Sequence, residues 1–344
     1  MKKIYNSVLI VLFIMYSINI CAYDYCIDNI SYNRISDSEL AVSQNQDTTY
    51  PGVELIEKYG EILGIKTDEK GRVNNIWYNL DTKNKVAEVT YGKTNYEGDI
   101  TIPSKVTYNN IEYDVICVGY DAFHESEITS LKLPNSIKYV CYNAFYGCSL
   151  MKSIDLGNSL LYIGSCAFEK NYSLSSISIP ESVTRIDDAA FDHCRSLLSI
   201  VIPNSIEIII GSTFNDCEKL EKVTIGTNVK KIEYAAFAQC PSLLDVYCYA
   251  KDLPQVEEDA FYLTEIDFVT LHVPASLVDK YKRTAPWNSF MSIIPITNTG
   301  INKVEAAQSV DRIITLDGKT HKYPQKGINI IKMNDGTTKK VIKK

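Results

Sequence analysis

The chain has 344 residues, 45% of them hydrophobic and 22% charged, proportions of a folded protein and not of a disordered one. A net charge of −7 leaves no broad basic footprint and excludes general nucleic-acid binding. Past the amino-terminal stretch, nothing has the roughly 18 continuous apolar residues that a membrane helix needs, so no transmembrane span is expected in the mature chain.

Lys2 and Lys3, an apolar run over 8–14 that continues weakly to Ile20, and the sequence Ile20-Cys21-Ala22 read as a signal peptide over 1–22, cleaved after Ala22. An uncleaved anchor is the alternative, although the run is short and broken by Ser17 and Asn19. Cys21 raises lipoprotein processing, against which the bulky Ile20 speaks. Residues 23–92 form an N-terminal segment. Within it Ile30, Tyr32, Asn33, Thr48, Tyr50, Gly52 and Ile56 recur 46 residues later as Ile76, Tyr78, Asn79, Thr94, Tyr96, Gly98 and Ile102. This is a degraded duplicate of a cap hairpin or a coincidence in a tyrosine-rich chain. Residues 54–63 read as a short helix and 67–72 as a turn.

From there a beat sets in. Phe123, Phe145, Phe168, Phe191, Phe214, Phe237 and Phe261 follow one another at steps of 22 to 24 residues, and a small residue precedes almost every one. Nine residues after five of them comes an apolar residue, and another two further on. Written from Ser173 to Cys194, the unit is SLSSISIPESVTRIDDAAFDHC. Ile177 and Ile179 alternate with serines as in a strand buried on one face, and Pro180 ends the ladder because it has no N–H to donate. Val183 and Ile186 supply a second buried edge before the chain turns back. So short a unit cannot bury its own apolar face, so neighbouring units stack into a solenoid with one continuous core. Cys148, Cys194, Cys217 and Cys240 each lie three residues after a repeat phenylalanine and form one inward column, which favours buried free thiols over disulfides.

The pattern LxxIxIPxSVxxIxxxAFxxC resembles the BspA-like class of leucine-rich repeats, found in surface and secreted proteins of anaerobic bacteria, over roughly residues 99–274. The departures are Ser126 and Asn171 for the cysteine, Thr213 for the alanine, and a missing proline near Tyr249. The resemblance implies a repeat solenoid of leucine-rich-repeat type, mainly β, with one short parallel strand per coil. It also implies an N-terminal cap hairpin and first coil over 93–122, from Gly98-Asp99-Ile100 and the pair Val106-Thr107-Tyr108 and Ile111-Glu112-Tyr113. The solenoid and C-terminal cap occupy 123–297, closed by a short helix near Val278 and by Trp287. In 298–344, Asp317-Gly318 and Asn334-Asp335-Gly336 separate short strands of a small C-terminal β module. This end resembles the sorting module of type IX secretion, with a plain small β-domain as the alternative.

Chemistry is hard to find. The four histidines are scattered, no GxSxG elbow presents a serine, and no glycine loop cradles a phosphate. Asp187, Asp188 and Asp192 could hold calcium but read as a solvated turn. An enzyme seated in 23–92 would have Cys26 but no histidine base. No catalytic residue, metal or cofactor is assigned. The candidate binding residues are the outward positions of the strands, which stack into two rows: Lys132, Asp155, Ser178, Val201, Thr224, Tyr247 and His272, beside Ser130, Ser153, Ser176, Ser199, Lys222, Asp245 and Thr270. Lys132, Asp155, Lys222, Thr224, Asp245, Tyr247, Tyr249 and His272 carry the charge and aromatic surface of this face, whose other reading is a solvated sheet. The resemblance implies a non-catalytic exported protein, secreted or held at the outer surface, that mediates protein–protein interaction by adhesion to host or matrix macromolecules, with its ligand on a host or neighbouring cell; a glycan-binding accessory surface protein is the alternative.

Overall fold

A computed structural model describes residues 53–58, 61–93, 95–296, 310–315, 319–321, 327–333 and 338–343. The leader over 1–22 and, apart from Ile56, the first copy of the proposed duplicate lie outside the described residues. The repeats form a solenoid of parallel strands with almost no helix, as the beat implies.

Each coil has three walls. The first is the long strand: Glu97–Thr101, Glu127–Lys132 and Ser153–Asp155 make one parallel sheet. Ser199–Ile202, Lys222–Ile225, Asp245–Cys248, Thr270–Val273 and Ser292–Pro295 make another. The alternation is physical, because Ile200, Val223 and Val246 point into the core while Val201, Thr224 and Tyr247 point out. The coil between the sheets is an exception: Ser176, Ile177, Ser178 and Ile179 have the repeat sequence yet form no strand and no inter-coil backbone hydrogen bond. The second wall is a ladder of two-residue strands, and it breaks one step later, between Arg185–Ile186 and Ile208–Ile209.

The third wall is the turn that carries the phenylalanine, and it is continuous. Successive rings from Phe123 to Phe261 stack at centroid distances of 5.1 to 5.6 Å. The backbone N–H of Phe145, Phe168, Phe191, Phe214 and Phe237 donates to the carbonyl of the small residue in the following coil. Two residues before the ring, Asp121, Asn143, Cys166, Ala189, Ser212 and Ala235 have φ of 51–55°, and two residues after it Glu125, Gly147, Lys170, His193, Asp216, Gln239 and Leu263 are also left-handed. Of these only one is glycine. Each of the others stores roughly 1 kcal/mol or more, which the inter-coil hydrogen bonds and ring burial must offset.

All eight described cysteines are free and buried. The column is more than apolar filling, however. The thiols of Cys148, Cys194, Cys217 and Cys240 donate to the carbonyl of the phenylalanine one coil back, at 3.0 to 3.5 Å. Asn171 donates from the same position to Phe145 O at 2.9 Å, and Thr264 to Phe237 O at 2.6 Å. The departures from cysteine at 171 and 264 therefore keep the hydrogen bond.

The ends of the ring column are sealed. Tyr96 meets Phe123 at 4.6 Å, and its hydroxyl donates to Thr90 O at 2.7 Å. At the other end Phe261 meets Trp287 and Phe290 edge-on, beside the helix Val278–Arg283. Trp287 is 1% exposed and donates from Nε1 to Pro254 O, so it covers the last layer as expected.

The cap is larger than the sequence suggests. The hairpin Lys105–Tyr108 with Ile111–Val118 forms as expected, turning at the left-handed pair Asn109-Asn110. A meander of Glu69–Val73, Ile76–Asp81 and Val86–Thr90 then joins the edge of that strand and extends the second wall upstream. Two expectations fail here. The described residues of 54–63 contain no helix: Leu55–Lys58 pairs antiparallel with Glu61–Ile65. The segment 67–72 runs into a strand, and the tight turn lies at Asn74-Asn75, both at positive φ. The meander buries Glu88, whose carboxylate accepts from Ile65 N and Asn79 Nδ2, both at 2.8 Å. A Cβ at Gly119 would meet the Glu88 carboxyl carbon at 2.4 Å, so glycine is required for this approach. Near the C-terminus, Val310–Thr315, Thr320–His321, Gly327–Met333 and Thr338–Lys343 form an antiparallel four-stranded sheet.

Candidate functional site

The pairing puts the two outward rows in the expected register on each side of the interrupted coil. Ser130 pairs with Ser153 and Lys132 with Asp155; Lys222 pairs with Asp245, Thr224 with Tyr247, and Tyr247 with His272. The interruption divides the candidate residues into two groups. In the first, exposed Lys132 and Asp155 border an open recess of about 440 Å³ with Asn135 and Asn158. Asp155 there accepts from Gly157 N at 3.0 Å, so its carboxylate is turned partly to the loop.

In the second group the side chains hold one another. The Lys222 ammonium lies 4.5 Å from the Tyr247 ring centroid on one side, and the His272 ring stacks on Tyr247 at 3.9 Å, 6° from parallel. His272 Nε2 lies 2.7 Å from Asp245 Oδ1. Burial first, then the charge of Asp245 and the neighbouring Tyr249, push the Tyr247 phenol up to about 12. Tyr247 therefore stays a neutral hydroxyl over the physiological range. The face closes toward its C-terminal end. Val201 is 57% exposed and Tyr249 41%, but His272 is 6% exposed and Thr270 1%. His272, expected to face outward, instead supports the Tyr247 ring, because its row continues into Ile294, which pairs with it and is itself buried.

The turn wall carries a second cluster that the sequence reading missed. One residue after the ring come Glu169, Asp192 and Asn215, and two residues after it Lys170, His193 and Asp216, each set one coil apart. Glu169 and Asp192 are 1% and 2% exposed. Asp192 Oδ1 lies 2.7 Å from His193 Nδ1 and accepts from Asn215 Nδ2 at 2.9 Å. Burial pushes the Asp192 carboxyl up, against the opposing pull of His193. Burial alone would lower the His193 imidazole, but Asp192, Asp216 and Glu169 together raise it. The expected acidic group of Asp187, Asp188 and Asp192 does not assemble, nor is it a solvated turn. Asp187 is buried on Tyr162 and Arg185, and Asp188 accepts from the Tyr234 hydroxyl. The available signal was the recurrence, 23 residues apart, of an acid followed by a basic residue after two successive rings, Glu169-Lys170 and Asp192-His193.

Residues 116–244 and 167–282 match the family model described as BspA type leucine rich repeat region, in six copies. A leucine-rich repeat protein of Treponema pallidum is 26% identical, with 55% of this chain and 86% of that one covered at a TM-score of 0.49. A leucine-rich cell surface protein of Faecalibacterium prausnitzii is 19% identical, covering 67% and 73% at 0.45. A leucine-rich repeat protein of Bacteroides ovatus is 22% identical, covering 66% and 76% at 0.41. No curated protein matches the chain. Residues 116–282 thus carry leucine-rich repeats of the BspA type.

Proposed function

We propose that this is an exported, non-catalytic repeat protein that binds a protein ligand, as an adhesin does, through the strand face around Tyr247. The observation that carries the reading is the cluster of Lys222, Asp245, Tyr247 and His272. It holds a half-buried aromatic rigid at the centre of a mixed-charge face, where interfaces place their anchors. Lys222, Thr224, Asp245, Tyr247 and Tyr249 are the contact residues in this reading, and His272 is their support. Lys132 and Asp155 form a separate, more polar contact beside the recess.

The same geometry weighs against glycan binding. A sugar ring needs an open aromatic face, yet one side of Tyr247 is taken by His272 and the other by the Lys222 ammonium. A screen of the chain from Tyr23 onward against matrix proteins and glycans tests the reading. Tyr247→Ala should weaken the protein ligand found there by about tenfold or more, the range of an interface anchor. Unchanged affinity, or hits confined to glycans, would remove the strand face as a protein site. We assign the four-stranded sheet after Val310 to export sorting. A chain lacking residues 310–344 that still reaches the cell surface at normal levels overturns that assignment.

A further inference from the structure

The geometry points to a divalent transition-metal site, of Zn²⁺ type, on the turn wall, with Glu169, Asp192 and His193 as its protein ligands. One donor atom from each lies within 4.8 Å of the other two. Ligand bonds of roughly 2.0–2.2 Å allow any two donors of one ion to be at most about 4.4 Å apart, so small side-chain rotations bring all three into one sphere. Two carboxylate oxygens and an imidazole nitrogen suit zinc, whereas calcium and magnesium take oxygen alone.

A second observation, independent of the clustering, indicates that something is owed to this place. Glu169 Oε2 is buried and has no hydrogen-bond partner. Its other oxygen, Oε1, has the Lys170 ammonium at 3.3 Å, and Lys170 also bonds the Tyr146 hydroxyl. One lysine offsets one of the two buried carboxylates. The second charge is left to a proton on His193 or to a cation. A buried acceptor without a partner is costly, and a metal bond satisfies it.

The surrounding groups are arranged as around a bound metal. His193 Nε2 lies 3.3 Å from Asp216 Oδ2, and Arg195 holds that carboxylate with Nη2 at 2.7 Å and Nε at 3.0 Å. With the ion bound, the Asp216 carboxylate on the far nitrogen would hold the proton on Nε2 and leave Nδ1 to the metal, the usual support of a metal-bound histidine. Asn215 orients Asp192 in the same way. On binding, the ion replaces the proton between His193 Nδ1 and Asp192 and widens their 2.7 Å separation to about 3.3 Å, the edge of a tetrahedron with such bonds. Lys170, its side chain 36% exposed, swings toward solvent, and water takes the fourth position. The released proton makes the affinity fall in acid. His193 is 29% exposed at its side chain and gives the ion its way in.

The test uses the full exported chain, stripped of metal and titrated with Zn²⁺ and, separately, Co²⁺ at neutral pH. One equivalent of Zn²⁺ should bind, and Co²⁺ should give visible d–d bands without the intense thiolate charge-transfer band that binding to cysteine would produce. His193→Ala and Glu169→Gln should each abolish the bands, while Asp216→Asn, which touches no ligand bond, should weaken binding by about 10–100-fold. Urea midpoints in the absence of metal show that each variant is folded. Should Glu169→Gln fail that check, the surface-accessible His193→Gln carries the same test. No stoichiometric Zn²⁺, a thiolate band, preference for Ca²⁺, or binding unchanged in the folded His193 variant would overturn the assignment.

Discussion

Replacing Phe191 with alanine tests whether the ring column is the spine of the fold. Phe191 is fully buried between Phe168 at 5.2 Å and Phe214 at 5.4 Å, within 4° of parallel to both. Its backbone hydrogen bond to Thr213 O survives the change, so the loss comes from the side chain alone. Truncating a buried phenylalanine costs about 3–5 kcal/mol, and two aromatic pairs of about 0.5–1.5 kcal/mol each vanish with it, which places the expected loss in the upper half of that range. The assay is urea unfolding followed by circular dichroism, reading both midpoint and slope. A stack gains its stability from neighbour contacts, so a hole between two coils should also lower the slope as the halves uncouple. Tyr262→Ala, at a residue 53% exposed one position after a repeat ring, is the control and should shift stability by no more than about 0.5 kcal/mol. A loss below about 1 kcal/mol for Phe191→Ala, with the slope unchanged, would refute the continuous core.

Burial pushes the Glu88 carboxyl up to about 7 despite the bonds from Asn79 and Ile65, against an ordinary value of 4.5. Its stabilising contribution is therefore complete below about pH 4.5, declines as pH rises through 7, and is gone above. That amounts to a loss of about 3 kcal/mol between pH 4.5 and 8. Asp187 and Asp192 are raised and act in the same direction, as does the raised His193. Urea midpoints should be higher at pH 5 than at pH 8, and Glu88→Gln should flatten the difference; identical pH dependence in variant and parent would sink this account. Burial also holds Cys148 and Cys240 up at about 12, and Cys194 and Cys217 well up too. Iodoacetamide should leave these four thiols unmodified in the native chain and label all four in urea without reductant. Disulfides among them by mass spectrometry would show the column to be misread.

What the sequence made legible was whatever repeats. Phe145, Phe168 and Phe191 announce the ring column, and the alternation around Ile177 and Ile200 fixes which side chains face out. The register of Lys222, Asp245 and Tyr247 followed from counting alone. Features that depend on one place in the stack were not legible. Residues 54–63 have apolar positions compatible with either period, and the hairpin there is decided by partners supplied from elsewhere in the fold. Glu69–Val73 is so polar that it reads as a turn, because an edge strand needs little apolar surface. His272 holds an outward position in the count, and only the added strand Ser292–Pro295 shows that the row is covered there. Glu169 and His193 each look like ordinary turn residues until the coils are superposed, which brings charges 24 residues apart within bonding range. The interruption at Ser176–Ser178 has no mark in the sequence at all.

That interruption has a mechanical meaning. Two walls of the solenoid lose their ladder at adjacent coils, while the ring column and its backbone bonds pass through unbroken. A tube seamed shut along one side and slit on the other two bends like a leaf hinge, with the seam as its pin. Curvature can then change at this coil without opening the core, and the Lys132 and Tyr247 halves of the strand face can tilt toward or away from each other. The amides of Ser176, Ile177 and Ser178, which have no acceptor in a neighbouring coil, are the ones whose deuterium exchange would report the flexing.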